Sequence, residues 1–298
     1  MRREIRNVLV LGLAFVAAGV AQATTAAFDK VDAVFGKKAQ IFSGNVYKYT
    51  WPRNDLHETV NGTPIAPGLA LGSWAAFSAI ENKTWVMGDL VVLQSELAPV
   101  VGKLQSSGFE IMAIHNHLID ESPRVMYIHY MGQGDAEQLA SALKGALEQT
   151  GTPLTTKPAG PRAKGSPRWV SDIESALGRK GKLNGEVYAV SVPRDEVERA
   201  ENEVVPSAMG FETALNFQQV GGKIASTGDF VLIGSEVNPV IKTLQERGVV
   251  VAALHNHMLD DSPHLFFLHY WALGDPSQVA SALKTALAEM NVKASTGS

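Results

Sequence analysis

Six of the eight histidines in this chain fall into two clusters that share one spacing. His115-Asn116-His117 is followed twelve residues later by His129, and His255-Asn256-His257 is followed at the same distance by His269. Imidazole binds metal ions and transfers protons near neutral pH. A duplicated cluster of this kind therefore indicates a site with metal-binding or acid–base chemistry.

The spacing predicts how these side chains converge. Alternate residues of a strand share one face, so His115 and His117 lie on the same side of a strand that ends near residue 117. If a hairpin turn is centred near Pro123, His117 lies opposite His129. Three imidazoles then meet in each half of the chain, the second set being His255, His257 and His269.

Three histidines on adjacent strands form a facial set of nitrogen ligands for Zn, Fe, Cu, Ni or Mn, with coordination positions left open. Glu121 and Asp261, each four residues after the second histidine, can add a carboxylate, although a role in the turn fits them equally well. Gly88-Asp89 and Gly228-Asp229 interrupt a strand pattern and favour a bulge or turn, from which the aspartates can approach the site. Two other interpretations stay open: a metal-free acid–base cluster, and histidines that only pack and hydrogen-bond inside a sheet.

The elements around the histidines are duplicated. Residues 88–148 align with residues 228–288 without a gap, at an offset of 140 and with about half the positions identical. The Pro-, Gly- and Lys-rich residues 150–168 are typical of a linker. The sequence thus predicts a first repeat over 24–149, a second repeat over 169–291 and a short tail over 292–298.

Periodicity predicts the order helix, several strands, helix, two strands, helix in each repeat. Opening helices are expected over 28–35 and 170–177, and strands over 41–51, 74–80 and 84–93. Ser95 and Asp135 are placed to cap the two later helices of the first repeat. The fold class is α+β: two tandem homologous repeats, each an antiparallel sheet with helices packed on one face, associated as an intramolecular pseudo-dimer.

Composition and the N-terminus suggest where the protein acts. With 298 residues, a net charge of -4 and no polybasic stretch, the chain does not have the profile of a nucleic-acid-binding protein. Three arginines, an apolar run over 8–18 and Ala21-Gln22-Ala23 predict a signal peptide over residues 1–23. The chain has no cysteine to form disulfides or carry a lipid. We expect a periplasmic or secreted protein with no stable membrane anchor after signal cleavage.

The duplicated histidine-Asn-histidine motif, followed by Ser-Pro, then histidine-Tyr, Gly-Asp and Ala-Ser-Ala-Leu, resembles the LppY/LpqO family, DUF1259, over nearly the whole mature chain. This resemblance implies an exported bacterial protein and no established reaction. The mycobacterial members that name the family are lipoproteins, and this chain departs from them in having no cysteine. The stretch His115-x-His117-x-x-x-Glu121 is also similar to the first cupin motif, but the second motif and its distant histidine are not found.

These observations favour an exported protein whose duplicated histidine site binds a divalent transition metal or an unknown small ligand. A metal-dependent enzyme, either a hydrolase or a cupin-like oxidoreductase, is the second interpretation. A structural envelope protein with packed histidines is the third.

Overall fold

Each repeat folds into a six-stranded antiparallel sheet with helices on one face, as the sequence predicts. The computed structural model describes residues 27–155 and 166–294. The predicted signal peptide, most of the predicted linker and the last residues of the predicted tail lie outside this range. Within it, no helix is both long enough and apolar enough to cross a membrane.

The first repeat comprises α1 (27–35), β1 (Gln40–Phe42), β2 (Val46–Pro52), β3 (Thr59–Val60), β4 (Thr63–Pro64), α2 (Pro67–Ala70), β5 (Gly72–Ile80), β6 (Lys83–Leu93), α3 (Gln94–Ser106), β7 (Glu110–His115), β8 (Glu121–Ser122), β9 (Val125–Gly134) and α4 (Ala136–Leu147). Its large sheet has the order β1-β2-β5-β6-β9-β7, and a small sheet has the order β4-β3-β8.

The second repeat comprises α5 (Arg168–Leu177), β10 (Lys182–Asn184), β11 (Val187–Pro193), β12 (Arg199–Ala200), β13 (Glu203–Val204), a 3-10 turn (Ser207–Met209), β14 (Glu212–Val220), β15 (Lys223–Ile233), α6 (Gly234–Glu246), β16 (Val250–His255), β17 (Asp261–Ser262), β18 (Leu265–Gly274) and α7 (Pro276–Leu287). Its large sheet has the order β10-β11-β14-β15-β18-β16, and its small sheet has the order β13-β12-β17, so the topology of the first repeat recurs.

Helices cover the outer face of each large sheet. In α4, Leu139, Leu143 and Leu147 recur at helical spacing and are buried in a core cluster that also contains Phe77 and Ile128 from the sheet. The predicted cap of this helix is confirmed, because Asp135 Oδ1 accepts a hydrogen bond from Gln138 N at 3.0 Å. The outer core therefore follows from local sequence patterns.

The predicted cap of α3 is wrong. Helix α3 begins at Gln94, so Ser95 lies inside it, and the N–H of Leu93 donates to Glu96 Oε2 at 2.8 Å. The buried guanidinium of Arg53 holds that carboxylate through an Nη1–Oε2 contact of 2.7 Å. An ionised carboxylate fixed in this way accepts a stronger hydrogen bond than a serine hydroxyl does.

The predicted strand over 41–51 is two strands. Gly44 and Asn45 have φ values of +75° and +56°, and they form a tight turn between β1 and β2. A left-handed pair of this kind reverses the chain, so the segment forms a hairpin rather than one long strand.

The inner faces of the two large sheets pack against each other. One apolar cluster joins Met87 and Met131 of the first repeat to Phe211 and Val231 of the second. Another cluster combines residues of both repeats in the same way. The layers therefore follow the order helix, sheet, sheet, helix, and the histidine-bearing strands lie in the middle.

Candidate metal centre between the repeats

The six clustered histidines meet at the interface of the two repeats. The ring centroids of His115 and His255 lie 3.6 Å apart, those of His117 and His269 3.8 Å apart, and those of His129 and His257 3.7 Å apart. Each pair takes one ring from each repeat. The sequence predicts a separate histidine set in each repeat, whereas the structure interleaves the two sets.

The strand pairing that brings the histidines together differs from the predicted hairpin. Ala113, and not His117, lies opposite His129 in the register of β7 with β9, and His115 lies opposite Tyr127. Strand β7 ends at His115 because the chain then leaves the large sheet to form β8, which pairs with β3. His117 therefore reaches the cluster from a loop.

Aromatic side chains fix the two loop histidines. The ring of His117 stacks on Tyr127 with centroids 3.4 Å apart, and the ring of His257 stacks on Phe267 at 3.3 Å. Both aromatic residues are fully buried. This packing orients the loop imidazoles toward the centre even though they have left the strand.

Two aspartates belong to the cluster, and the expectation of a bulge or turn around them is wrong. Asp89 lies within the regular pairing of β6, directly opposite His129, and Asp229 lies opposite His269 in β15. Asp89 Oδ2 is 3.3 Å from His117 Nε2, and Asp229 Oδ1 is 2.7 Å from His269 Nδ1. The signal in the sequence was a single aspartate directly before four apolar residues, at the equivalent position of both repeats.

The glycine before each aspartate is required by a close backbone approach. A Cβ on Gly88 would lie 2.2 Å from the carbonyl oxygen of Trp74, and one on Gly228 would lie 1.8 Å from that of Ala214. The Gly88 carbonyl is 3.3 Å from His129 Nδ1, and the Gly228 carbonyl is 3.0 Å from His269 Nδ1. A carbonyl only accepts hydrogen bonds, so this contact puts the imidazole hydrogen on Nδ1. Nε2 of His129 then has no hydrogen-bond partner among the described residues, whereas Nε2 of His269 lies 2.9 Å from His255 Nε2.

Burial favours the neutral form of five of the clustered imidazoles. It lowers the pKa of His115, His117, His129 and His257, and repulsion from neighbouring imidazoles lowers these values further. The pKa of His255 falls to about 4 by burial and by repulsion from His269. Neutral imidazole is the form that binds metal ions.

The pKa values of the two aspartates shift in opposite directions. Burial, together with the negative charge of Asp229, raises the pKa of Asp89 well above its ordinary value. Burial alone would also raise the pKa of Asp229, but attraction to His269 outweighs it and lowers the value. The surroundings therefore favour the protonated form of Asp89 and the ionised form of Asp229.

Several polar atoms of the cluster are buried without a hydrogen-bond partner among the described residues. Among them are His115 Nδ1 and Nε2, His117 Nε2, His129 Nε2, His257 Nε2 and Asp89 Oδ1. Although His117 Nε2 lies near Asp89 Oδ2, the contact does not have hydrogen-bond geometry. Unsatisfied buried polar atoms are rare in native proteins, and each one calls for an explanation such as a bound ion.

Three overlapping groups have ligand atoms that all lie within 4.8 Å of one another. They are Asp89 with His115, His117 and His129; His115 with His255 and His269; and His129 with His255 and His257. Imidazole nitrogens with one carboxylate oxygen form a ligand set suited to transition metals. The residues present therefore fit a metal ion.

Glu121 and Asp261 lie outside these groups. They occupy β8 and β17 in the small sheets, where Asp261 Oδ1 is 2.6 Å from His264 Nδ1 and its Oδ2 accepts from Leu265 N. Glu121 Oε1 is 3.9 Å from Arg124 Nε. The chain leaves the strand after the first histidine of the motif, so a spacing of four residues from the second histidine no longer puts the carboxylate on the face of the histidines.

A cavity of about 190 Å³ adjoins one side of the cluster. It reaches both aspartates and one of the three histidine pairs, that of His117 and His269. Its lining includes Asp89, His117, Asn216, Thr227, Asp229 and His269. Trp74, which also packs against the apolar core, is part of its wall. The cluster is thus open to a space the size of a small molecule.

Comparison with known proteins gives a family and no activity. No curated protein matches the chain. A crystal structure of a trimeric bacterial microcompartment shell protein, PduB, is similar at 12% identity over 85% of this chain and 90% of that chain, and its TM-score of 0.22 carries no argument about fold or function. The family model for the Domain of Unknown Function DUF1259 matches residues 29–149 and again residues 171–289. Because these two matches span most of the chain, the protein belongs to the DUF1259 family, with two copies of its domain in tandem.

Proposed function

We propose that this protein binds a divalent transition metal ion in the interface of an intramolecular pseudo-dimer. The observation that carries the proposal is the convergence of buried imidazole nitrogens that have no hydrogen-bond partner among the described residues. Burying polar nitrogens without partners is costly, and metal coordination would satisfy them. The lowered histidine pKa values favour the neutral, metal-binding form.

The largest ligand group is Asp89 with His115, His117 and His129. Three nitrogens and one oxygen suit Zn²⁺, and the same donors are also used for Fe, Cu, Ni and Mn. His115, His129 and His255 each belong to two of the three groups. Filling one group therefore removes ligands from another, and we expect fewer than three ions per chain.

Metal analysis of the purified protein tests this proposal. After incubation with Zn²⁺ and removal of free ions, the wild type should retain metal, and His115→Ala should retain much less because His115 belongs to two groups. His57→Ala is the matched control, since His57 is exposed and lies outside the cluster. A wild type that retains no metal, or equal retention in the two variants, would show that the histidines only pack.

The effect of a chelator gives an independent measurement. An ion that binds only the folded state raises the free energy of unfolding by about 2.7 kcal/mol at a hundredfold excess over Kd. A chelator should therefore lower the Tm of the wild type and leave that of a folded His115→Ala variant nearly unchanged. Equal shifts in both proteins would argue against a site at His115.

We also propose that the protein acts outside the cytoplasm, in the periplasm or the medium. The support is the N-terminal arginines, the apolar run and Ala21-Gln22-Ala23 in the sequence. N-terminal sequencing of the protein from a periplasmic fraction should begin at Thr24. Recovery of the chain with Met1 intact in the cytoplasm would refute export.

The cavity beside His117 and His269 favours a second candidate function, that of a metal-dependent enzyme. A metal ion with an open coordination position supplies Lewis-acid or water-activating chemistry. Metal-loaded wild type should then hydrolyse an activated ester such as p-nitrophenyl acetate faster than His115→Ala does. Equal rates would count against a hydrolase.

A further inference from the structure

The two sides of the metal centre differ in their side chains, although the two repeats that form them share one topology. Trp74 pairs with Asp89 across β5 and β6, and Ala214 pairs with Asp229 in the same way across β14 and β15. The next inward-facing pairs are Ala76 with Met87 and Asn216 with Thr227. The first repeat thus has Trp, Ala and Met where the second has Ala, Asn and Thr.

Large apolar side chains close one side. A Cβ on Gly210 would lie 2.8 Å from Trp74 Cη2, so the indole packs directly on the backbone there. Lys48 Nζ covers the indole ring at 4.1 Å from its centroid. Met87 is buried in an apolar cluster with Met209 and Phe211. The space between this part of the first repeat and residues 208–211 is filled.

Small and polar side chains leave the other side open. The cavity of about 190 Å³ lies between α2 and the residues Ala214, Asn216 and Thr227. Thr227 is only 2% exposed, and its Oγ1 has no hydrogen-bond partner among the described residues. The unpartnered Asp89 Oδ1 belongs to the same wall. A buried hydroxyl and a buried carboxyl oxygen with unused hydrogen-bonding capacity point to a polar occupant.

The lining also limits the charge and size of that occupant. Neither lysine nor arginine contributes to the described lining, and two aspartates do, which disfavours a free anion. A volume of about 190 Å³ corresponds to roughly six waters at ~30 Å³ each. Hydroxyl groups donate to carboxyl oxygens and both donate to and accept from a threonine hydroxyl.

We propose that this cavity binds a small neutral molecule bearing hydroxyl groups, and that such a molecule reaches the metal centre from the Thr227 side alone. The inference rests on the proposed metal site for its function, while the binding itself depends on the cavity. The two repeats then have divided roles. Both supply metal ligands and parts of the cavity wall, and the second supplies the small or polar side chains of Ala214, Asn216 and Thr227 that leave the cavity open.

Two measurements with glycerol as the probe test the proposal. Saturation-transfer NMR reports binding with or without metal, and the visible spectrum of Co²⁺-loaded protein reports approach to the ion. Wild type should bind glycerol saturably with a spectral change. Thr227→Met, which puts the side chain of the closed side into the cavity, should weaken binding by about tenfold or more, with unchanged Co²⁺ content.

Met87→Thr is the matched control because it makes the reverse change on the closed side, and its glycerol Kd should stay within about twofold of wild type. Thr227→Val keeps the side-chain shape and removes the hydroxyl, so its glycerol binding can be measured instead if Thr227→Met fails to fold.

No saturable glycerol binding, or equal binding by wild type and both Thr227 variants, would overturn the proposal. A response to azide without one to glycerol would overturn the assignment of a neutral ligand. Absence of Co²⁺ uptake with intact glycerol binding would refute the metal site and leave the cavity assignment standing.

Discussion

Asn116 and Asn256 donate equivalent hydrogen bonds, each into the repeat to which it does not belong. Asn116 Nδ2 lies 3.3 Å from the carbonyl oxygen of Ala252, and Asn256 Nδ2 lies 3.1 Å from that of Met112. Each amide also donates at 2.8 Å within its own loop, to Leu118 or to Met258. The middle residue of the histidine-Asn-histidine motif therefore shapes the loop and joins the repeats.

Replacing both asparagines by alanine should weaken the interface. The carbonyls of Leu118 and Ala252 lose the donor of Asn116, and those of Met258 and Met112 lose the donor of Asn256. A net loss of about 1 kcal/mol in the free energy of unfolding is expected for each bond. Urea unfolding followed by circular dichroism measures this loss. Because the bonds connect the repeats, the double variant should also show a smaller m-value if the repeats begin to unfold separately. Unchanged unfolding would show that the amides are dispensable.

Gly88→Ala should destabilise the protein strongly. The new methyl group would lie 2.2 Å from the Trp74 carbonyl oxygen and 2.2 Å from Tyr130 Oη, so two strands must separate. Overpacking of a core costs about 1–3 kcal/mol, and we expect the upper end because one contact is to backbone. Gly102→Ala is the control, since Gly102 lies within α3 with open space around it and should gain about 0.5–1 kcal/mol. Equal effects of the two substitutions would contradict the register of β5 with β6.

Arg53→Met should lower the free energy of unfolding by about 3–5 kcal/mol. The guanidinium is fully buried and contacts Glu96 at 2.7 Å and Asp55 at 2.9 Å, so its loss leaves a carboxylate without its cation. Lys38→Ala removes exposed ion pairs, which solvent screens, and should have a much smaller effect on stability. Thermal and urea unfolding distinguish the two cases. A small effect of Arg53→Met would indicate that Glu96 finds another partner.

Glu58 should make stability depend on pH. Burial, together with the nearby charge of Glu121, raises the pKa of Glu58 from 4.5 to about 8. A raised carboxyl pKa means that the folded state holds the proton more tightly than the unfolded state does. The stability that this proton contributes is therefore full below about pH 4.5 and is lost as the pH rises through about 8.

The matched variant for this prediction is Glu58→Gln, which keeps the shape and removes the titration. The free energies of unfolding of the two proteins should agree below about pH 4.5 and diverge progressively between about pH 4.5 and 8, with wild type the less stable. Urea unfolding across this range measures the difference. Parallel curves would mean that the carboxyl of Glu58 is solvated.

Much of the fold was predictable because it depends on local patterns. The apolar spacing of Leu139, Leu143 and Leu147 determines both the helix and the face that it buries, and Asp135 marks its start. Duplication made each pattern visible twice, once in each repeat. The cap of α3 was not predictable in this way, since Glu96 is held by Arg53 from a position 43 residues earlier in the chain.

The site was predictable only in part, because its geometry depends on non-local contacts. Histidine spacing identified the six imidazoles that converge. It did not identify Asp89, whose position depends on the pairing of β6 with β9. Nor did it predict that each imidazole pair takes one ring from each repeat, because the packing of two sheets is not encoded in the periodicity of one strand.

The replacement of Trp74 by Ala214 at the equivalent position has a consequence for how such a protein evolves. In a dimer of identical chains, every substitution near the two-fold axis occurs twice, so closing one side of a central site closes the other. Joining the two copies in one polypeptide removes that coupling. One half can then retain a bulky side chain while the other acquires small ones. A central site in such a chain can be reached from one side only, which a dimer of identical chains does not allow.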